Sequence, residues 1–166
     1  MSKSAIFIQI PGVIGSATEA NHKGWIPVES CNWRVKRDVV TSIGNANERY
    51  RTGRMSFSTF VFIKEKDVSS VKLFEQILTM TTHRQVTIHI CDAVNNGLQT
   101  YLEYVLDNVI ITHFEEAVST NNKRPKELIA FDFTKVQKKH TPYDSNNKPQ
   151  TPMVTAFDLA TGRPPR

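Results

Sequence analysis

Alternation of apolar and polar residues along the chain predicts that most of it folds as β-strands. The clearest case is the segment 85–91, in which three apolar side chains share one face and Thr87 and His89 occupy the other. Segments of similar character are residues 5–10, 22–37, 55–64, 101–114, 127–138 and 153–159. An Asn-Asn-Gly sequence at residues 95–97 tolerates positive φ, so the segments 85–91 and 101–114 are predicted to form an antiparallel hairpin.

The alternation in segment 101–114 changes phase near its middle. Leu106 belongs to one apolar set and Val109 to a second set, which is one residue out of phase with the first. A bulge near residues 107–108 would bring both sets to the same face of the sheet.

One stretch has helical periodicity. Ser69 or Ser70 can cap a helix there, and apolar residues recur at helical spacing at Val71, Phe74, Ile77 and Leu78. We therefore expect one short amphipathic helix that covers a face or an edge of the sheets.

Composition supports a mainly β protein of one domain. Val, Ile and Thr supply 44 of the 166 residues, whereas Ala and Leu supply 16, and branching at Cβ favours a pleated sheet. The chain is 39% hydrophobic and 22% charged, which predicts one packed core over residues 1–166. Its final Gly-Arg-Pro-Pro-Arg sequence predicts a mobile end at about 160–166. It contains neither a secretory signal nor a run of roughly 20 apolar residues, so we expect a protein that starts in the cytoplasm and does not insert into a membrane.

Candidate catalytic and metal chemistry is sparse. Cys31 and Cys91 are far apart in sequence and are expected to be buried free thiols. His89 and Cys91 share a strand face, and His113 on a neighbouring strand could complete a metal site, but structural zinc normally takes four ligands, and side chains without an ion are the favoured interpretation. Because the motifs of nucleophilic, phosphate-binding and metal-dependent enzymes are missing from the sequence, we expect no catalysis and no cofactor.

The segment 34–54 carries six basic residues against two acidic ones, and its centre is too polar to join a core. We predict a protruding loop at about 38–53, since long polar loops in compact domains are usually functional. Basic side chains near Trp33 and Tyr50 leave one alternative open, a β-rich module that binds nucleic acid.

Several sequence blocks, in order along the chain, resemble the haemolysin-coregulated protein (Hcp) family, the tube component of bacterial type VI secretion systems. Residues 22–30, His-Lys-Gly-Trp-Ile-Pro-Val-Glu-Ser, resemble the N-terminal signature of that family, and Trp33-Arg34-Val35 follows closely. Pro27 stands where the family often has an acidic residue. Further blocks of the same kind are the Lys-x-x-Asp-x-Ser-Ser passage at 64–70, Leu-Asp-Asn-Val at 106–109, Phe-Thr-Lys-Val at 133–136 and Phe-Asp-Leu at 157–159.

The resemblance implies a compact β-barrel or sandwich of two antiparallel sheets with one flanking helix and an extended loop. It also implies hexameric rings that stack into a hollow tube, which a contractile sheath expels together with spike and effector proteins, without a signal peptide. Heterologous contacts must then close a ring, and the protruding loop would supply them. The expected assembly residues are Val39, Val40, Thr41, Ile43, Asn45, Arg49, Tyr50 and Arg51.

Overall fold

A computed structural model describes residues 4–38, 55–95 and 97–163 of the chain. Nearly every regular element in these ranges is a strand, and one helix, α1, spans Ser70–Leu78. The strands are β1 (Ala5–Gln9), β2 (Ile26–Val28), β3 (Ser30–Asn32), β4 (Val35–Arg37), β5 (Met55–Phe57), β6 (Phe60–Glu65), β7 (Thr82–Val94), β8 (Gly97–Ala117), β9 (Lys126–Asp132), β10 (Lys135–His140) and β11 (Met153–Asp158).

The described strands form two antiparallel sheets. Nine strands make the large sheet, in the order β2-β1-β7-β8-β9-β6-β3, with β10 beside β8 and β11 beside β10. Its two end strands, β2 and β3, are separated in sequence only by Glu29, whose backbone N–H donates to the carbonyl of Ile63 at 2.8 Å. The sheet is therefore strongly curled although it does not close. Pro27, which cannot donate to a ladder, lies on the end strand β2.

The longest strand, β8, is the central strand of the large sheet. Its first half pairs with β10, and its second half pairs with β9. Between the two halves, Asn108 has a φ of 51°, and Leu106 and Val109 on either side of it are both fully buried. The bulge predicted near 107–108 is wrong, because the pairing of β8 with β7 keeps one register from Asp107 to Val109. The positive φ of Asn108 brings both apolar sets to the buried face instead. The shifts of pairing register lie elsewhere, at 90/91 and 111/113.

Side chains from most strands of the large sheet fill one main core. Its largest fully buried members are Phe60, Phe62, Phe131, Ile8, Ile10, Ile26, Leu73, Ile88, Leu106 and Ile129. The predicted fold class is confirmed: the described chain is mainly β and antiparallel, with one short helix and two sheets. The predicted hairpin is confirmed as well, because β7 and β8 pair from Val94 and Gly97 onward.

Helix α1 forms where the sequence predicts it, but it faces the other way. Its buried residues are Ser70, Leu73 and Gln76, whereas the predicted apolar stripe is mostly exposed, with Val71 75% and Leu78 68% accessible. Polar side chains inside the fold set this rotation, because Ser70 and Gln76 have buried hydrogen-bond partners. The expectation that the whole apolar stripe covers the sheet is wrong.

The described end of the chain folds back on β11. The backbone N–H of Asp158 donates to the carbonyl of Arg163 at 2.9 Å, so residues 160–163 form a turn. Residues 164–166, which complete the predicted mobile end, lie outside the described ranges. Among the described residues, no helix has the length and apolar character needed to cross a membrane.

Candidate assembly site

The residues predicted to make contacts between copies fall in the segment 39–54, outside the described residues. They are Val39, Val40, Thr41, Ile43, Asn45, Arg49, Tyr50 and Arg51. The structure describes the strands on both sides of this segment, β4 and β5. We call these two strands the base of the assembly site.

The small two-stranded sheet forms this base. In it, β4 pairs antiparallel with β5, and Arg37 lies directly opposite Met55. The two ends between which the segment 39–54 lies are therefore adjacent in space. All three residues of β4 are exposed.

Aromatic side chains fix the base to the domain. The rings of Trp33 and Phe57 are stacked with their centroids 6.3 Å apart, and Phe57 also stacks on Phe157 of β11 at 5.3 Å. Tyr104 on β8 contacts Trp33 edge-on. These rings tie β5 to β8 and β11, so the base is held in a fixed relation to the large sheet.

Strand β11 supplies a second exposed surface. Within the described residues its only partner strand is β10, and apart from the bridge of Asp158 to Arg163 its outer edge offers unpaired backbone groups. Met153 and Val154 at its start are 61% and 56% accessible. Exposed edges of this kind invite pairing with another chain.

The His-Lys-Gly-Trp block folds against residues 15–17 in a backbone ladder. The N–H of Gly15 donates to the carbonyl of Gly24 at 2.8 Å, and the N–H of Gly24 donates to the carbonyl of Ala17 at 2.9 Å. Gly24 has a φ of 78°, which favours glycine. A Cβ on Gly15 would lie 2.2 Å from the carbonyl oxygen of Trp25. Both glycines are thus required by the path of the backbone.

This ladder places His22 in the interior next to His89. His22 is stacked on Phe7, and its Nε2 lies 2.9 Å from Nδ1 of His89. Glu19 contacts the other nitrogen of His22, and Glu103 contacts Nε2 of His89 at 2.7 Å. Burial lowers the pKa of His89, and this outweighs the raising effect of Glu103.

The candidate metal ligands do not assemble as the sequence allowed. Cys91 lies 3.9 Å from Nε2 of His22, on the same side as His89, but His113 is on the surface with Glu115 as its partner. Across residues 4–38, 55–95 and 97–163 no group of three His, Cys, Asp or Glu side chains is arranged to hold a metal ion. Cys31 and Cys91 are free thiols, and burial raises the pKa of each.

The Lys-x-x-Asp-x-Ser-Ser passage forms a buried polar network. Nζ of Lys64 lies 2.9 Å from a carboxylate oxygen of Asp67 and 2.9 Å from Oε2 of Glu127. The Ser70 hydroxyl donates to the same Oε2 at 2.8 Å, which anchors the start of α1 to β9. Burial alone would raise the pKa of Asp67, but hydrogen bonds from Ser69 and Lys64 lower it overall. This network explains the spacing of the passage.

Sequence patterns did not identify Glu127, Glu103 or Glu19 as partners of these buried groups. Each lies far in sequence from the group it contacts, or in a loop whose course is set by backbone bonds. One signal was present: Glu127 occupies a position in β9 that alternation assigns to the buried face. A charged residue at such a position calls for a buried partner of opposite charge.

Comparisons with known proteins agree with one another. A family model described as type VI secretion system effector, Hcp, matches residues 7–140 of the chain. A structure of a type six secretion system protein superposes with a TM-score of 0.90 at 22% identity, covering 98% of this chain and 100% of that one. For Hcp1 from Salmonella typhimurium the TM-score is 0.76 at 18% identity, with 97% and 98% covered. A type VI secretion system effector from Yersinia pestis has a TM-score of 0.69 at 27% identity, with 92% and 98% covered. No curated protein sequence matches the chain.

Proposed function

Because the chain belongs to the Hcp family and is a tube component of a type VI secretion system, we propose that its copies close into hexameric rings that stack around a hollow lumen. The family is a secreted, structural one. We assign the chain no catalytic role, and we propose that its partners are its own copies together with the sheath, spike and effector proteins of the system. In this proposal the chain begins in the cytoplasm and leaves through the type VI apparatus.

One observation carries the proposal beyond family membership. The segment 39–54 is flanked by the paired strands β4 and β5, which aromatic stacking ties to β8 and β11. A long polar segment whose two ends are held on a fixed base is suited to contact a different surface of a neighbouring copy, as a closed ring requires. The exposed edge of β11 is a candidate for the receiving surface.

We assign the contact itself to residues 39–51. In this assignment the apolar residues Val39, Val40 and Ile43 dock on the neighbouring copy, and Arg49 and Arg51 pair with acidic groups there. Contacts between stacked rings would be modest and polar, because a tube that releases its cargo has to come apart. Salt should weaken such contacts.

Particle size tests ring formation. Light scattering and negative-stain microscopy of the purified chain are expected to detect annular particles, and a monomer at every protein and salt concentration would contradict the proposal. Replacing Val39→Asp and Ile43→Asp together should abolish the rings while the β-type circular dichroism spectrum is retained. Val118→Asp adds a charge at an exposed apolar position outside the segment and serves as the control.

The comparisons contain no support for the alternative of a nucleic-acid-binding module. Two of the six basic residues in the segment 34–54, Arg49 and Arg51, are assigned in this proposal to contacts between copies. The same purified chain tests the alternative, because salt-sensitive binding of an oligonucleotide without annular particles would favour it over the tube.

A further inference from the structure

A cavity of about 380 Å³ lies between α1 and the far end of β8. Val71 and Phe74 from the helix and Phe114 from β8 supply its apolar walls, and the rings of Phe74 and Phe114 have centroids 5.5 Å apart. The fully buried Glu127 also lines it. An apolar cavity with a carboxylate in its lining is a site of the kind that binds an amphipathic group.

One carboxylate oxygen of Glu127 lacks a hydrogen-bond partner among the described residues. Its Oε2 accepts hydrogen bonds from Lys64 at 2.9 Å and from Ser70 at 2.8 Å. Its Oε1 is buried and has no hydrogen-bond partner within the part of the chain that the structure describes. Leaving a buried carboxylate oxygen unpaired is costly, so a donor from another molecule would be stabilised there.

The charges around the cavity favour a cation as that donor. Lys64 lies between Asp67 and Glu127, and Lys66 is 2.9 Å from Glu116 at the cavity wall. These side chains comprise two ammonium groups and three carboxylates, so one negative charge is in excess. A positively charged donor would balance it, whereas an anion would be repelled.

The exposed stripe of α1 continues the cavity outward. Val71, Phe74 and Leu78 lie three and four residues apart, which places them on one side of the helix, and all three are exposed. Phe74 is 49% accessible even though its ring contacts Phe114. A helix side of large apolar residues next to a cavity resembles the grooves into which peptides bind.

We propose that this cavity is a docking site for a partner polypeptide that inserts a lysine or arginine side chain. The alkyl stem of that side chain would pack between Val71 and the two phenyl rings, and its cationic end would donate to Oε1 of Glu127. Apolar residues beside it in the partner would cover Leu78. This contact is separate from the ring contacts assigned to residues 39–51.

Two labelled peptides test the proposal on the full chain. One is fluorescein-Ala-Leu-Lys-Leu-Ala-amide, and the other has norleucine, an uncharged residue of similar shape, in place of lysine. Fluorescence anisotropy should give an affinity for the lysine peptide at least about tenfold higher, as expected for a buried charge-assisted hydrogen bond. Equal affinities, or no binding of either peptide, would overturn the proposal.

Variants locate the binding. Glu127→Gln should reduce the preference for lysine to less than about twofold, since the amide lacks the charge that strengthens the bond. Glu115→Gln removes the same charge from the exposed surface of β8, one residue before the cavity-lining Glu116. This variant should leave the preference unchanged. Phe74→Ser keeps Glu127 intact and should weaken both peptides, so the site can be tested even if the Glu127 variant does not fold. An unchanged affinity in Phe74→Ser would place the peptides elsewhere and refute the site.

Light scattering of the same variants distinguishes a foreign partner from a second copy. Phe74→Ser and Glu127→Gln should have the particle size of the wild-type chain. If either variant lost the rings while Glu115→Gln kept them, the occupant would be a neighbouring copy, and the proposal of a partner polypeptide would be wrong. The tube assignment itself would survive that result.

Discussion

Nε2 of the buried His22 lies 2.9 Å from Nδ1 of the partly buried His89, so the two rings are joined by a hydrogen bond in which one donates and the other accepts. Carboxylate oxygens accept, so Glu103 takes the Nε2–H of His89 and Glu19 takes the Nδ1–H of His22, and the two nitrogens that face each other hold one proton between them. If both rings were fully protonated, two N–H groups would face each other across this distance. The contact therefore depends on at least one ring remaining deprotonated.

We predict that the free energy of unfolding decreases as the pH falls below about 6.5. Burial lowers the pKa of His89 and of His83, so between the folded and unfolded pKa values the unfolded chain binds more protons, and acid favours unfolding. Each histidine contributes at most about 1.4 kcal/mol per pH unit. Urea titrations at pH 7, 6 and 5 measure the slope.

Variants at a buried and an exposed histidine provide the comparison for this pH effect. His89→Gln should reduce the slope between pH 7 and pH 5. His113→Gln, on the surface beside Glu115, should leave it as in the wild-type chain. Equal slopes in all three proteins would contradict the assigned role of His89.

The chemistry of the His-Lys-Gly-Trp block shows what sequence alone can and cannot predict. The strands β1, β7 and β8 follow from alternation of side chains, because that signal is local and repeats along each strand. The partner of His22 does not follow, since His89 is 67 residues away and a backbone ladder between residues 15–17 and 24–25 brings the two rings together.

Helix α1 illustrates a different limit. Periodicity predicts its position, but the apolar stripe indicated the wrong inner face. The helix is oriented by Ser70, which donates to Glu127, and by Gln76, which contacts Nε2 of His83 at 2.8 Å. Hydrophobic patterning assumes that apolar residues are buried, and it fails when polar residues have interior partners and the apolar side remains exposed.

Removal of the buried ammonium group should destabilise the domain strongly. Lys64→Met leaves Asp67 and Glu127 facing each other without a cation, and breaking a buried pair in this way costs about 3–5 kcal/mol. Chemical denaturation of the variant and of the wild-type chain measures the difference.

Two further variants control the Lys64 experiment. Lys72→Met removes a lysine that is half exposed and pairs with Glu75 along the helix, so the stability of this variant should be close to that of the wild-type chain. Combining Lys64→Met with Glu127→Leu should recover part of the loss, since one of the unpaired carboxylates is then also removed. A Lys64 variant no less stable than the Lys72 variant would refute the buried network as a stabilising feature.

Gly15 is predicted to be intolerant of any side chain. An added Cβ would lie 2.4 Å from the carbonyl carbon of Trp25 and 2.5 Å from Cα of Ile26, and these are backbone atoms that can move only if the ladder opens. Gly15→Ala should therefore lower the free energy of unfolding by about 1–3 kcal/mol. Ser16→Ala, at the exposed neighbouring position, should be nearly neutral in the same urea titration, and equal effects would contradict the close approach.

The aromatic base of the assembly site predicts a defect in assembly that is distinct from unfolding. Phe57→Ala removes the ring that stacks on both Trp33 and Phe157, so β5 loses its fixed relation to the sheet. Each contact between copies would then carry an additional cost in conformational entropy. A loss of about 1.4 kcal/mol of binding free energy per contact raises the protein concentration needed for rings about tenfold. Light scattering across a dilution series measures that concentration.

Phe74→Ala is the matched control, because it truncates the same residue type on α1, away from the base, and should form rings at the wild-type concentration. If both variants assemble alike while retaining their β circular dichroism spectra, the aromatic base does not position the contacts between copies.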